Sequence, residues 1–256
     1  MANSGSGESM IDRVMRVLEA FDARHSELTI SAIARRADLP RATAYRLIAE
    51  LAGHGVVDRL PDGKVRVGMR IWELSYRSLS VRRLREVALP YMNEVQRHIQ
   101  QHTNLAIIND GEVLYVERLS SARAARNIAQ IAGRLPTHAC SSGLVLMAYA
   151  EQEQREAFLS QEHPAFTEHT LTSPVALRTE LAEIRKRGAC VSRGQIIDGS
   201  DGIAVPVFGA AQEIVAALNV VVPRGYRSVD AAITVLTSAA AKISQAMAAG
   251  MMAGRT

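Results

Sequence analysis

Residues 28–57 read LTISAIARRADLPRATAYRLIAELAGHGVV, and the spacing of their apolar positions predicts two short helices. The first covers about 30–37, with Ile30, Ile33 and Ala34 on one face. The turn Asp38-Leu39-Pro40 leads into the second, over about 41–52, where Ala44, Leu47, Ile48 and Leu51 recur at helical spacing. This leaves Arg41, Thr43, Tyr45, Arg46 and Glu50 on the other faces. A short helix carrying arginines and hydroxyls, braced across a turn by a second helix, suits the major groove of DNA.

The sequence on either side extends the same reading. After Gly53-His54-Gly55 come VVDRL, then Pro61-Asp62-Gly63, then KVRVG: two short extended runs around a turn, hence a β-hairpin. Arg59, Lys64 and Arg66 sit on it, within reach of phosphates or a minor groove. Ahead of the pair, residues 10–24 carry Ile11, Val14, Val17, Leu18 and Phe21 as an apolar stripe, completing a three-helix core. Together these pieces predict a winged helix-turn-helix.

With 256 residues, 48% of them apolar, the chain can bury one large core or two modest ones. The net charge of +4 is unevenly placed. Residues 1–90 hold 15 Lys/Arg against 11 Asp/Glu, which leaves 15 against 15 for the rest, so the whole excess lies with the DNA-reading part. Nearly all of the basic residues are arginine, which suits bidentate contacts with guanine and phosphate. Cys140 and Cys190 form no ligand cluster, and no zinc site, disulfide scaffold or other cofactor is expected. Residues 1–9 are small and polar and predict a disordered tail without a signal peptide. No run reaches the roughly 18–20 apolar residues of a membrane span. A cytoplasmic protein is expected.

Residues 69–80 favour a short helix and Val81–His102 a longer one, which Pro90 should kink or break. The expected organisation is a DNA-binding domain over 10–74, a helical linker over 75–90 and a second domain over 91–250. The second domain opens with NLAIIND and EVLYVERLSS flanking Asp110-Gly111, an antiparallel hairpin. Ala129–Leu135 is a strand or a crossover. Helices follow after THACSSG, over 152–160 and over 174–188, the last with Ser173 and Pro174 at its start. GIAVPVFG and EIVAALNVVVP close the sheet, and a helix over 228–248 ends the chain before a fray at Gly250–Thr256. The class is α+β, an antiparallel sheet with helices largely to one side.

Catalytic chemistry finds little footing. His98 and His102 are four apart on one helical face, but two histidines without a third ligand make no metal site. No GxSxG, phosphate-binding loop or dinucleotide fingerprint occurs. Cys140 lies close to His138, yet a small buried thiol accounts for it. Binding is easier to argue. Ser141, Ser142 and Gly143 precede a helix, and their backbone N–H groups suit an anion such as a carboxylate. Asn219 stands in the otherwise apolar AALNVVV and must satisfy its amide internally or through a ligand. Arg123, Arg126 and Arg134 flank the approach to that helix, as candidate partners of a carboxylate. A DNA-tethered enzyme lacks a nucleophile with its base. An architectural DNA binder leaves the uncharged second domain without a purpose.

The LTISAIARRADLPRATAYRLIAELAGHGVV core, the GEVLYVERL hairpin, the GRLPTHACSSG segment and the GIAVPVF and AALNVVVP pair resemble the IclR family of transcriptional regulators. The resemblance implies a winged helix-turn-helix, a GAF-like effector-binding domain and dimers or tetramers on an inverted repeat in double-stranded DNA. It also implies repression or activation of a catabolic operon in answer to a small organic acid. It carries the family's pocket onto Ser141, Ser142, Ser192, Ser200, Gly202, Asn219 and Val221. This chain departs from the family with Leu144 after the small-residue turn, where many members carry Lys, and with Gln195 where many carry Glu. Gly202 replaces a cysteine, and Val221 a serine, of relatives that sense two- or three-carbon acids. The smaller residue at 202 implies room for a bulkier acid, and LTSPVALRTELAEIRKRGACVSRGQI resembles regulators of aromatic-acid breakdown.

Overall fold

The computed structural model describes residues 8–22, 24–76, 79–121 and 131–253. Arg123, Arg126, Ala129 and nearly all of the expected N-terminal tail lie outside the described residues. The chain forms two compact units that meet between Leu79 and Ser80.

The first unit begins with α1 (Met10–Glu19), shorter than the expected 10–24. Ser9 caps it: its Oγ accepts from the Asp12 N–H at 3.1 Å, while the Asp12 carboxylate accepts from the Ser9 N–H at 3.0 Å. Beyond the helix the chain is tied down by Arg36, whose Nε donates to the Ala20 carbonyl at 2.7 Å and whose guanidinium pairs with Asp22. Strand β1 (Glu27–Thr29) follows, then α2 (Ile30–Arg36) and α3 (Arg41–Gly53). Asp38, at φ 49°, makes the left-handed corner between these helices. Strands β2 (Val57–Arg59) and β3 (Lys64–Val67) form the hairpin, and α4 (Met69–Tyr76) closes the unit. The wing is a sheet of three strands in the order β1-β3-β2, with Leu28 opposite Val65. Val17, Ile33, Ala44, Leu47, Ile48 and Val65 are enclosed in the core of this unit.

In the second unit, α5 (Leu79–Ile99) runs unbroken through Pro90. Leu84, Ala88, Met92 and Val95 are buried along it, and this packing outweighs the backbone hydrogen bond that proline removes. Gln100, at φ 56°, ends the helix, and His102 opens β4 (His102–Asn109). His98 and His102 therefore share no helical face. Strand β5 (Glu112–Leu119) pairs with β4 across the expected hairpin, and β6 (Arg134–Leu135) is a two-residue edge. Then come α6 (Ser141–Tyr149), α7 (Gln152–Leu159), α8 (Pro174–Arg187), β7 (Cys190–Arg193), β8 (Ser200–Phe208), β9 (Ile214–Pro223) and α9 (Val229–Ala253). Ser173 precedes α8 without a side-chain cap bond.

The six strands run antiparallel in the order β6-β5-β4-β9-β8-β7. The helices cover both faces rather than largely one. Ile203, Val205, Leu218, Val220 and Val222 pack with Leu84, Met92, Leu236 and Ile243 of α5 and α9. Ala204 and Ala217, their alternating neighbours, pack with Leu144, Leu177 and Leu181 of α6 and α8. The run AVPV in β8 and the run AALNVVV in β9 are apolar at nearly every position because both of their sides are covered.

Candidate DNA-reading helix and effector cavity

In the first unit, α3 presents the side chains singled out from the sequence. Arg41, Tyr45 and Arg46 are exposed and Thr43 is half-buried, opposite the core-facing Ala44, Leu47 and Ile48. No side chain caps α3, since Pro40 holds the N-cap position. Its first N–H groups are thus available to a phosphate. The guanidinium groups of Arg41, Arg46 and Arg59 hold no hydrogen bond or ion pair among the described residues. Lys64 pairs with Asp62 at 2.8 Å and Arg66 with Asp58 at 3.1 Å. Exposed pairs of this kind contribute about 0–1 kcal/mol, so a phosphate displaces the carboxylates at little cost. Arg35, at the end of α2, is exposed with its guanidinium unpaired among the described residues. Its arginine sits one position before Arg36, and only the fold shows that Arg36 is used internally while Arg35 is not.

In the second unit, six of the residues marked from the sequence come together. Ser141, Ser192, Ser200, Gly202, Asn219 and Val221 line one cavity of about 50 Å³, with Tyr115, Leu135, Cys140, Gln195, Ile196, Ile197 and Asp201. Ser142 and Gly143 are not in its lining. The Ser142 side chain is fully enclosed, beside the Tyr115 hydroxyl. Gly143 lies against the backbone of Thr137, where an added Cβ would stand 2.2 Å from the carbonyl oxygen. Of the three amides expected to be free, Gly143 gives its N–H to the Cys140 Sγ at 3.4 Å, and the Ser142 amide also faces that sulfur. The Ser141 N–H remains, at the positive end of α6.

Gly202 does not enlarge the cavity, contrary to expectation. A Cβ there would lie 2.5 Å from the Ser141 Oγ, so the serine already occupies that space. Arg134 is also used elsewhere: it donates to the carbonyl of Asn109 at 2.7 Å and to its side-chain oxygen at 2.5 Å. His138 is engaged elsewhere. Its Nε2 meets the Pro164 carbonyl at 2.9 Å and its ring stacks on His163, 4.7 Å between centroids. Burial pushes the Cys140 thiol up to about 11 and the Tyr115 hydroxyl well above its ordinary range, so both stay protonated. No nucleophile is prepared here.

Three of the cavity's residues, Asn219, Gln195 and Asp201, carry a buried side-chain oxygen without a hydrogen-bond partner among the described residues. Asn219 is 1% exposed and Gln195 9%, and neither Asn219 Oδ1 nor Gln195 Oε1 has a partner. Asp201 is held at the rim, its Oδ2 accepting from the Gly225 N–H at 3.4 Å and its Oδ1 3.8 Å from Arg224 Nε. A larger groove of about 840 Å³ lies elsewhere in this unit, lined by Leu84, Ile107, Met147, Phe158, Ile214 and Met247 among others. None of its described side chains has a buried polar atom without a partner. Unmet polar atoms, rather than volume, mark the smaller cavity as the candidate site. Sequence reasoning missed Tyr115, Cys140, Gln195 and Asp201 as lining residues; only Gln195 carried a signal, as a departure from the resembled pattern.

A winged helix-turn-helix joined to a sheet unit with a small, half-open cavity is the architecture of a DNA-binding transcriptional regulator. The chain belongs to the IclR family. The model of the IclR helix-turn-helix domain matches residues 10–61, and that of the bacterial transcriptional regulator IclR C-terminal region matches 76–247. It is 31% identical to the HTH-type transcriptional regulator XynR of Escherichia coli, over 82% of this chain and 84% of that protein. It is 30% identical to the Pca regulon regulatory protein of Pseudomonas putida, over 81% and 72% respectively. A crystal structure of an IclR homolog from Microbacterium hydrocarbonoxydans complexed with 4-hydroxybenzoate superposes with a TM-score of 0.88 at 44% identity, covering 94% of this chain and all of that one. The protein is a DNA-binding transcriptional regulator and not an enzyme. No described helix is long and apolar enough to cross a membrane.

Proposed function

We propose that this regulator controls a catabolic operon in response to a small aromatic carboxylate held at the N-terminus of α6. The observation that carries the reading is the convergence of Ser141, Ser192, Ser200, Gly202, Asn219 and Val221 on one cavity. The 4-hydroxybenzoate bound by the Microbacterium homolog supports the aromatic class. The carboxylate meets the Ser141 N–H and the helix dipole, and Leu135, Ile196, Ile197 and Val221 supply apolar wall. Thr167 and Thr170 hold the carbonyls of Gly194 and Gln195 at 2.7 and 2.6 Å, and the Gly199 carbonyl accepts from the Arg224 N–H at 3.1 Å, so the turn beside the cavity is tied to neighbouring segments. A state that differs with and without ligand is what coupling to DNA affinity requires.

On the DNA side, Arg41, Thr43, Tyr45 and Arg46 read base edges, and Arg59, Lys64 and Arg66 meet the backbone. Two copies related by a dyad read an inverted repeat, as a homodimer or a dimer of dimers. The exposed Ile11 and Met15 of α1 and Met69 and Trp72 of α4 supply pairing surface.

Arg46→Ala is expected to cost about 1–3 kcal/mol on the operator and far less on scrambled DNA. Lys64→Ala should weaken both equally and lower the salt slope by about one. Equal losses for Arg46→Ala on the two DNAs would remove it as a base reader. For the effector, calorimetric titration with 4-hydroxybenzoate should give saturable heat that Asn219→Leu abolishes, and the acid should change operator affinity. Heat undiminished in folded Asn219→Leu would place the site elsewhere. Heat with constant operator affinity would leave a binding site that is not a switch.

A further inference from the structure

The groove of about 840 Å³ in the second unit plays no part in the function described so far. It crosses the end of the sheet. Leu84 of α5 and Met247 of α9, from the cluster on one face, line one side of it. Met147 of α6 and Phe158 of α7, from the cluster on the other face, line the opposite side. Ile107 of β4 and Ile214 of β9 lie between them. A volume of this size is in the range of ligand sites, and no described lining side chain leaves a buried polar atom unmet, so a mostly apolar occupant suits it. Because the groove passes from one face of the sheet to the other, an extended body fills it better than a compact ring. It is also separate from the effector cavity. Both draw on α6, but the cavity meets its first residue, Ser141, and the groove its far end, at Leu146 and Met147.

Charge sets the polar end of the occupant. Arg83 is the one basic residue among the described residues that line the groove. It is half-buried on α5, and its guanidinium has no partner among the described residues. The two acidic lining residues stand elsewhere, in the turns after β4 and before β9. Asp110 is largely exposed and faces Arg134 at 3.5 Å, and the exposed Glu213 folds its carboxylate against Gly209. A partly desolvated guanidinium without a carboxylate of its own binds one that arrives through charge-assisted hydrogen bonds. We propose that this groove is a second ligand site, which takes an amphipathic acid: an extended apolar chain ending in one carboxylate. The carboxylate pairs with Arg83 and the chain lies across Ile107, Ile214 and Phe158. The inference does not depend on the effector reading of the smaller cavity.

The test uses the full chain, calorimetry and the straight-chain alkanoates from butanoate to octanoate, kept below micelle formation. Octanol and octylamine are the neutral and cationic counterparts of octanoate. Octanoate is expected to bind saturably, one per chain, and about tenfold or more tightly than octanol. Affinity should rise about threefold to fourfold with each added methylene. Ala157→Trp, at an exposed position of α7 on the lining, should remove octanoate binding without lowering the melting temperature. Arg83→Gln should bring octanoate down to the affinity of octanol and leave octanol within about threefold, a loss of charge preference that a purely structural change would not produce. Saturating 4-hydroxybenzoate should leave octanoate binding one per chain. No saturable binding of any alkanoate would overturn the proposal. So would octanol or octylamine binding as tightly as octanoate, by showing that Arg83 does not select the ligand. Octanoate undiminished by Ala157→Trp, or displaced by 4-hydroxybenzoate, would place it outside the groove. A changed sedimentation mass in Ala157→Trp would show a second copy covering the groove, and would overturn the proposal too. The alkanoate series runs on the unaltered protein, so a variant that fails to fold does not block the answer.

Discussion

Gly143→Ala is expected to disrupt the start of α6 and to abolish acid binding. The added methyl would stand 2.2 Å from the Thr137 carbonyl oxygen and 2.6 Å from its Cα, both backbone atoms. No side chain can swing aside. The turn that would have to move is pinned, because the Thr137 hydroxyl donates to the Gly111 carbonyl at 2.7 Å and His138 is held by the Pro164 carbonyl. Overpacking of this kind costs about 1–3 kcal/mol, and more where the main chain must shift. A lowered melting temperature and loss of calorimetric heat would be seen together. Gly199→Ala is the control, since an added Cβ there meets nothing within 4 Å. Unchanged melting and binding in Gly143→Ala would show that the turn at Thr137 yields freely.

Leu47→Ala should remove DNA binding on every sequence alike. Leu47 is 1% exposed, enclosed on the inner face of α3 in the core of the first unit. Such truncations cost about 2–5 kcal/mol through lost transfer energy and the cavity left behind. A unit of this size has only about 4–12 kcal/mol in all. Denaturant unfolding would report the loss, and binding to operator and scrambled DNA would fall together. Tyr45→Ala, at a position 52% exposed two residues earlier, should leave stability within about 0.5 kcal/mol. Parental operator affinity in Leu47→Ala would mean that this packing does not position the helix.

The parts read well from the sequence are those that local rules govern. The two helices around Asp38 lie within about a residue of their expected bounds because their apolar spacing and their turn are both short-range signals. Strand β1 escaped notice because three residues of ELT carry no alternation; it exists by pairing with β3, far along the chain. Strand β7 is likewise made by its partner β8. Pro90 should break a helix by itself, yet α5 continues because buried Ala88 and Met92 flank the proline. Helices were expected largely on one side of the sheet, although near-continuous apolar runs in β8 and β9 already indicated cover on both faces.

By itself the sequence determined that a basic, arginine-bearing helix would stand on a winged helix-turn-helix, and that a sheet unit would follow it. Periodicity and turn chemistry are properties of neighbours along the chain, and they suffice for that. Only the tertiary structure decided what the cavity is. Tyr115, Ser141, Gln195 and Asn219 come from different elements, brought together by the order of strands in the sheet. That Ser141 occupies the space beside Gly202, that Cys140 takes the Gly143 N–H, and that Asn219 and Gln195 keep unmet carbonyls are facts of three-dimensional neighbourhood. Residue type states what a side chain is able to bond; only its surroundings settle which of those bonds are left for a ligand.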